Sequence, residues 1–161
     1  MTESPAVIGA VPLLRGLPAD QIALLSAAAR RVSLPLHHRL FEEDAPADRF
    51  WIIEAGCVAL DALEPGVGRL TITTLGRGDV VGLSWLVPPH QWQFGAVCTQ
   101  PVQAFEFDAT AVRAACAAHP EFGYAIAMRF MTVAVQRLQT ARTRLLRARS
   151  VASAPATGRG D

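Results

Sequence analysis

The sequence contains no lysine, and all fifteen of its basic residues are arginine. We attribute this bias, together with the abundant alanine, to genome composition and not to function. Charged residues are also scarce, at 18%, whereas hydrophobic residues make up 51% of the chain. This balance excludes a disordered chain, and 161 residues are enough for one domain with its own core.

Other absences exclude whole classes of protein. The three cysteines, Cys57, Cys98 and Cys116, are far apart, so we expect buried thiols and neither a zinc site nor a disulfide framework. No apolar run approaches the ~20 residues that cross a bilayer. The N-terminus lacks the basic and apolar regions of a secretory signal. We therefore expect a cytoplasmic protein.

Signatures of catalysis and metal binding are missing as well. There is no G-x-S-x-G motif, and Ser84 has no assignable base beside it. His37 and His38 are neighbours in a predicted strand, where adjacent side chains point to opposite faces. The acidic run Glu42–Asp44 lacks the ligand spacing of a calcium loop. We predict no catalytic residue, no metal site and no enzyme.

Charge is distributed unevenly along the chain. Residues 1–121 contain eight arginines and thirteen acids, a net charge of −5, whereas residues 122–161 contain seven arginines and one acid, a net charge of +6. Cations near the end of a helix can simply favour its dipole and its solubility. They can also contact nucleic acid or an acidic protein. The arginines concerned are Arg137, Arg142, Arg144, Arg147 and Arg149.

The order of predicted elements indicates a mainly β fold with flanking helices (α+β). Short β-type runs between residues 32 and 107 are interrupted by glycine, proline and acidic turns, as in a jelly roll. A first helix is predicted from Pro18 to about Arg31. Asp108 is a good N-cap for a helix over residues 109–118. Residues 120–149 form a long helix, and residues 1–10 and 150–161 are predicted to be loose.

The long helix has two apolar lines. A heptad line suits pairing with a second copy of the helix, and a second line suits packing on the chain's own strands. Both lines could also be internal core. The heptad line, our predicted dimer interface, comprises Tyr124, Met128, Met131, Val135, Leu138 and Leu145; the second line comprises Phe122, Ile126, Phe130 and Val133.

The stretch from Val11 to Leu146 resembles the cyclic-nucleotide-binding domain of the catabolite-activator and FNR-type regulators. Pro12–Val32 is similar to the first helix of that family. Leu40–Gly56 is similar to its apolar-acidic pair, turn, two strands and glycine, and Leu75–Gly82 (LGRGDVVG) follows in the same order. The resemblance implies a double-stranded β-helix, or jelly roll, closed by a long C-terminal helix.

The resemblance also points to a phosphate-binding cassette. In the family, it begins with glycine, glutamate and leucine, the glutamate holding the ribose, and ends with an arginine that neutralises the phosphate. Here one turn of helix is predicted to start at Gly82, with free N–H groups for an anion. The aligned residues, which we take as a degenerate ligand site, are Gly82, Leu83, Ser84 and Trp85 at one end and Phe94, Gly95 and Ala96 at the other.

Neither charged group of the family's cassette is present, because Leu83 and Ser84 replace the acid and Phe94 replaces the arginine. Their loss should cost about 4–6 kcal/mol of binding free energy, or three to four decades in affinity. We therefore expect no cofactor and disfavour cyclic AMP and cyclic GMP. Aromatic residues occupy the segment instead, including Trp85 and Trp92. They could fill the unused pocket, hold an uncharged or weakly charged ligand, or contact a partner protein.

These observations predict a regulatory or adaptor module that acts through dimerisation and contacts with a partner protein. A genuine cyclic-nucleotide or small-ligand sensor is one alternative. An FNR-type regulator without its own DNA-binding domain is another. Only twelve residues follow the long helix, so we expect no helix-turn-helix module and no base-specific recognition of DNA.

Overall fold

The computed structural model describes residues 2–153 and contains two antiparallel four-stranded sheets with helices at both ends. The predicted jelly-roll architecture with a long C-terminal helix is confirmed. One sheet has the strand order β1-β8-β3-β6 and the other has the order β2-β7-β4-β5. The strands are β1 (Ala29–Leu34), β2 (Arg39–Phe41), β3 (Arg49–Ala55), β4 (Val58–Glu64), β5 (Gly68–Leu75), β6 (Val80–Val81), β7 (Gly95–Cys98) and β8 (Val102–Asp108).

Strand register places two different sets of side chains on the two faces of the first sheet. Phe50 lies opposite Phe107, and Ile52 lies opposite Phe105, so these four apolar side chains share one face. The helices cover this face. Trp51 lies opposite Glu106 on the other face.

The helices are α1 (Pro5–Gly9), α2 (Ala19–Ala27), α3 (Ala109–Ala118) and α4 (Pro120–Ala152), with a 3₁₀ turn at Pro12–Leu14. The side chain of Asp108 accepts a hydrogen bond from the backbone N–H of Ala111 at 3.0 Å, which confirms the predicted N-cap of α3. The helix predicted from Pro18 to about Arg31 is α2, which ends at Ala27. It is shorter than predicted because Arg30 and Arg31 belong to β1. They pair there with Glu106 and Phe105, and these ladder bonds override the helical preference of the sequence.

The N-terminus is more ordered than predicted. Residues 5–9 form a helix, and the side chain of Ile8 is fully buried. The backbone N–H of Glu3 also donates a hydrogen bond to the carbonyl of Ala29 at 3.1 Å. The short apolar run Val7–Ile8 therefore packs on the body instead of lying loose as expected.

Helix α4 buries three of the four residues of one apolar line, leaves Val133 half-buried and exposes the other line. Phe122, Ile126 and Phe130 are at most 3% exposed and belong to the core. The heptad line faces away from the body, with side chains 43–70% exposed: Tyr124, Met128, Met131, Val135, Leu138 and Leu145. The helix extends to Ala152, past the predicted end at residue 149. Residues 154–161, most of the predicted tail, lie outside the described residues.

Candidate functional site

The cassette segment, residues 82–96, begins with a turn and not with a helix. Gly82 has a φ of +97°, and the N–H of Leu86 donates to the carbonyl of Leu83 at 3.3 Å, within a turn that does not continue. The predicted helix N-terminus at Gly82 is therefore wrong. The glycine turn feeds a loop that packs on the core, so the expected set of N–H groups for an anion is not formed there.

Trp85 lies in the hydrophobic core and not in an open pocket. Its side chain is 0% exposed, and its ring stacks on Phe50 with a centroid distance of 4.5 Å. The ring of Phe130 on α4 meets it edge-on at 5.1 Å. Arg113 on α3 fixes the same turn, since its Nη1 donates to the carbonyls of Trp85 at 2.8 Å and Ala47 at 3.2 Å. Trp85 thus connects the turn to the helices.

Trp92 fills the space beside Gly82. Its ring is 3% exposed and stacks on Phe41 at 3.8 Å between centroids. The backbone of Trp92 bonds to the preceding acidic turn on both sides, because its N–H donates to the carbonyl of Ala45 at 2.9 Å and its carbonyl accepts from the N–H of Asp44 at 2.9 Å. These bonds hold the indole ring in place.

The other end of the cassette segment enters strand β7. Phe94, at the position of the family's arginine, is 42% exposed, whereas Ala96 is fully buried opposite Leu60 of β4. Gly95 lies opposite Asp61. A Cβ atom on Gly95 would be 2.2 Å from Nη2 of Arg39 and 2.5 Å from Oδ1 of Asp61. An ion pair therefore occupies the place of a side chain at residue 95.

That ion pair is part of a larger group, the arginine–carboxylate cluster, formed by Arg39, Glu42, Asp61 and Arg69. Arg39 donates to both carboxylate oxygens of Asp61, at 2.6 Å and 3.1 Å, and Arg69 donates to Oδ1 at 3.2 Å. Both arginines also donate to Oε2 of Glu42, at 3.0 Å and 2.8 Å. The cluster contains two positive and two negative charges, so it is neutral as a whole.

Asp61 is the centre of the cluster. Its side chain is 7% exposed, and hydrogen bonds from Arg39 hold the pKa of its carboxyl below the usual value of 3.8. A buried carboxylate remains charged when guanidinium groups satisfy its oxygens. The cluster is thus a structured ionic site directly beside the cassette segment.

The cluster was not predicted from the sequence. Its members come from three strands and a turn that are distant in the chain, so spacing alone does not connect them. One local signal was present: Asp61 interrupts the apolar run Val58–Ala62, and a carboxylate at such a position needs a cationic partner. The same signal would not have identified Arg39 as that partner.

Helix α4 contacts the strand that leads into the cassette segment. Arg137 donates a hydrogen bond to the carbonyl of Val80 in β6. Burial lowers the pKa of the Arg137 guanidinium, and the nearby Asp79 opposes this effect. Further along the helix, Nη1 of Arg144 lies 3.2 Å from Oγ1 of Thr73 in β5. Part of the predicted basic surface is therefore used within the chain.

A separate cavity of about 250 Å³ lies at the end of the space between the sheets, and Trp92 is the one cassette residue in its lining. Glu106 in this cavity is 7% exposed and accepts a hydrogen bond from Nε1 of Trp51 at 2.9 Å. Arg30 and Arg49 also bond to Glu106. The carboxylate is fully engaged within the chain and offers no free acid to a ligand.

The structure of residues 2–153 also bears on metal binding, membrane crossing and thiol reactivity. No three metal-ligating side chains come together in this range. No helix within it is long and apolar enough to cross a membrane. Cys98 is fully buried, and burial raises the pKa of its thiol, as expected for a core side chain. Cys57 and Cys116 are only half-buried, so the expectation of buried thiols is wrong for these two.

Comparison with known proteins connects this geometry to a family. Over 133 residues the chain is 26% identical to a CRP-like cAMP-activated global transcriptional regulator of Mycobacterium tuberculosis, covering 83% of this chain and 58% of that protein. The chain thus spans less than two thirds of the length of this relative.

Solved structures show the same fold at lower sequence identity. A cyclic nucleotide-binding domain from Methylobacillus flagellatus superposes with a TM-score of 0.74 at 18% identity, covering 95% of this chain and 84% of that one. The catabolite activator protein of Thermus thermophilus superposes with a TM-score of 0.64 at 20% identity, covering 83% of this chain and 61% of that one. The profile of the cyclic nucleotide-binding domain matches residues 31–119, and the chain belongs to this family.

Proposed function

We propose that this chain is a non-enzymatic regulatory module whose cassette segment is filled by its own side chains. It acts through contacts with other proteins, including a second copy of itself. The observation that carries the proposal is the ion pair of Arg39 and Asp61 beside Gly95. An anionic ligand entering there would meet the Asp61 carboxylate, and both arginines would have to leave their present acceptors.

A phosphate ligand at this position would have to displace the Asp61 carboxylate from its guanidinium partners. A buried carboxylate that loses its guanidinium partner costs about 3–5 kcal/mol. Bonds from the freed guanidinium to a phosphate return roughly 1.5–3 kcal/mol each. The exchange is therefore close to balance even before the negative charges of ligand and Asp61 repel each other. A binding free energy close to zero does not support a receptor with a micromolar dissociation constant.

The packing of Trp92 also argues against a ligand in the cassette segment. Its buried ring lies against Gly82 and is stacked on Phe41. Moving a large apolar side chain from a buried position into water costs about 1.5–3 kcal/mol. A ligand that needs this space must offset that cost.

The exposed heptad line of α4 supports the part of the proposal that concerns a second copy. Apolar side chains repeat along about six turns of the helix, with Arg142 at one position of the line. The opposite face of the helix is packed on the body at residues 122–130. Heptad spacing suits a partner helix of the same sequence, because each knob enters a hole formed by four residues of the facing helix. We propose a parallel pair of α4 helices related by two-fold symmetry.

A cyclic-nucleotide receptor is the second candidate. It is favoured by Arg39 and Arg69, which bring guanidinium groups to the end of the cassette segment. The Mycobacterium tuberculosis relative is described as cAMP-activated. In this candidate, the ligand phosphate would replace Asp61 as the acceptor of both arginines.

Isothermal titration calorimetry of the purified chain with cyclic AMP and cyclic GMP separates the two candidates. We expect no saturable heat at millimolar nucleotide, with the Mycobacterium tuberculosis regulator as a positive control for cyclic AMP. A micromolar dissociation constant would instead establish the receptor. Thermal unfolding gives an independent check, because a ligand at 100 times its dissociation constant stabilises the native state by ~2.7 kcal/mol.

A further inference from the structure

The arginine–carboxylate cluster has the composition of an oxyanion site that already holds an anion. Asp61 accepts three hydrogen bonds from two guanidinium groups, at distances of 2.6, 3.1 and 3.2 Å. Arginine forks match planar and tetrahedral oxyanions because their N–H groups donate in parallel. The acceptor at the centre of this arrangement is a side chain of the same chain.

The exposures of the four side chains show from which direction an anion could arrive. Asp61 is 7% exposed, whereas Arg39 and Arg69 are 28% and 44% exposed and Glu42 is 50% exposed. The guanidinium groups thus form a rim between solvent and the buried carboxylate. An anion that replaced the Asp61 carboxylate could reach them without crossing the core.

Gly95 allows the ion pair to lie against the backbone of β7 on the same side. Because residue 95 has no Cβ, the backbone of β7 approaches the ion pair to within the distance at which a side chain would clash. Any larger residue there would displace Arg39 or Asp61. The backbone of β7 therefore leaves space at residue 95 for the Arg39–Asp61 ion pair and not for a side chain.

We propose that Arg39 and Arg69 form an oxyanion site and that the Asp61 carboxylate is its permanent internal ligand. This inference rests on the proposed function, since it identifies the group that fills the cassette segment. The external ligand excluded by Asp61 is inorganic phosphate or a phosphate ester. A single shortening of residue 61 should uncover the site.

The test is titration of Asp61→Ala with inorganic phosphate in dilute chloride buffer, followed by calorimetry. We expect saturable binding in the low millimolar range or tighter, at least tenfold tighter than for the unmodified chain. The double variant Asp61→Ala/Arg39→Met is the matched control and should lose this binding. A single variant that folds and does not bind phosphate more tightly than the unmodified chain would overturn the proposal.

A second variant covers the case in which Asp61→Ala does not fold in chloride. Asp61→Ser shortens the side chain and removes the negative charge, as Asp61→Ala does, but keeps a hydroxyl group that can accept a hydrogen bond from Arg39. Its midpoint of thermal unfolding should rise with 5 mM phosphate relative to 5 mM chloride, whereas the unmodified chain should show no such difference. Equal midpoints for Asp61→Ser in the two salts would contradict the proposal.

The two proposals can fail separately. Cyclic AMP binding by the unmodified chain would refute a filled cassette segment and says nothing of phosphate binding by Asp61→Ala. Absence of phosphate binding by the variant would refute the oxyanion site alone. Repeating the titration of Asp61→Ala with AMP and cyclic AMP then distinguishes a free phosphate from an ester as the preferred ligand.

Discussion

The indole ring of Trp92 lies so close to the backbone of Gly82 that a Cβ atom on this glycine would be 2.7 Å from Cη2 of the ring. The ring cannot move away freely, since it also stacks on Phe41 with 3.8 Å between the ring centroids. Gly82 also has a φ of +97°, which side chains other than glycine rarely adopt. Two separate requirements for glycine therefore meet at the start of the cassette segment.

Gly82→Ala should lower the free energy of unfolding by about 2–4 kcal/mol, because backbone strain of 1–2 kcal/mol adds to the overlap with Trp92. Gly78→Ala is the matched control. Gly78 has a similar φ of +86°, but no atom lies within 4 Å of its added Cβ. Urea unfolding of both variants measures the difference, and equal losses would show that the contact with Trp92 contributes nothing.

Arg113 should stabilise the cassette turn through its two hydrogen bonds to the carbonyls of Trp85 and Ala47. Arg113→Met keeps the apolar stem and removes the guanidinium, so we expect a loss of about 1.5–3 kcal/mol, the range for a hydrogen bond from a charged donor. Arg147→Met, on the exposed end of α4, is the control and should change stability by less than about 0.5 kcal/mol. Chemical denaturation of the two variants tests this, and similar stabilities would contradict the role of Arg113.

Local signals in the sequence predict most of the fold. Glycine and proline turns between short β-type runs indicate the roll, Asp108 indicates the start of α3, and the spacing of Phe122, Ile126 and Phe130 indicates the buried line of α4. These features depend on residues within a few turns of each other. Local signals did not predict the structure of Arg30 and Arg31, because only pairing with the distant strand β8 makes these residues part of β1.

The candidate site was predicted less completely, because its contents depend on contacts between distant strands. Gly82, Trp85 and Gly95 were identified, yet the predicted helix at Gly82 is a turn, and Trp85 packs on Phe50 in the core. Phe94 does stand at the position of the family's arginine. This replacement did not reveal that Arg39, 55 positions before Phe94 in the chain, places its guanidinium beside Gly95.

The Asp61 carboxylate should make the stability of the protein depend on pH in acid. Hydrogen bonds from Arg39 lower the pKa of Asp61 in the folded state, so its contribution is fully present above the unfolded value of 3.8 and is lost as pH falls through the lower folded value. The stability difference between the unmodified chain and Asp61→Asn should therefore be constant from pH 7 to pH 5 and shrink below about pH 4.

Urea unfolding at a series of pH values measures this difference. Glu64→Gln, at an exposed position at the end of β4, controls for the removal of a negative charge alone. A difference between the unmodified chain and Asp61→Asn that stays constant down to pH 2.5 would show that Asp61 is not held in its charged form by the cluster.

The proposed pairing of α4 helices predicts that a charge within the heptad line disrupts the dimer. Leu138 is 70% exposed in the single chain and lies beyond the buried line that packs on the body. Leu138→Glu should convert a dimer into a monomer in light scattering coupled to size exclusion, because two like charges would face each other in an apolar interface. The monomeric fold should persist, since Leu138 belongs to no buried cluster.

Thr140→Glu is the matched control for this variant. It introduces the same charge two residues further along the helix, at an exposed position that is rotated by about 200° from Leu138 and so lies on the opposite side of the helix. A parallel pair of helices predicts that this variant remains a dimer at concentrations at which Leu138→Glu is monomeric. If both variants keep the oligomeric state of the unmodified chain, the heptad line is not the interface. If both lose it, the cause is the added negative charge on α4 and not its position.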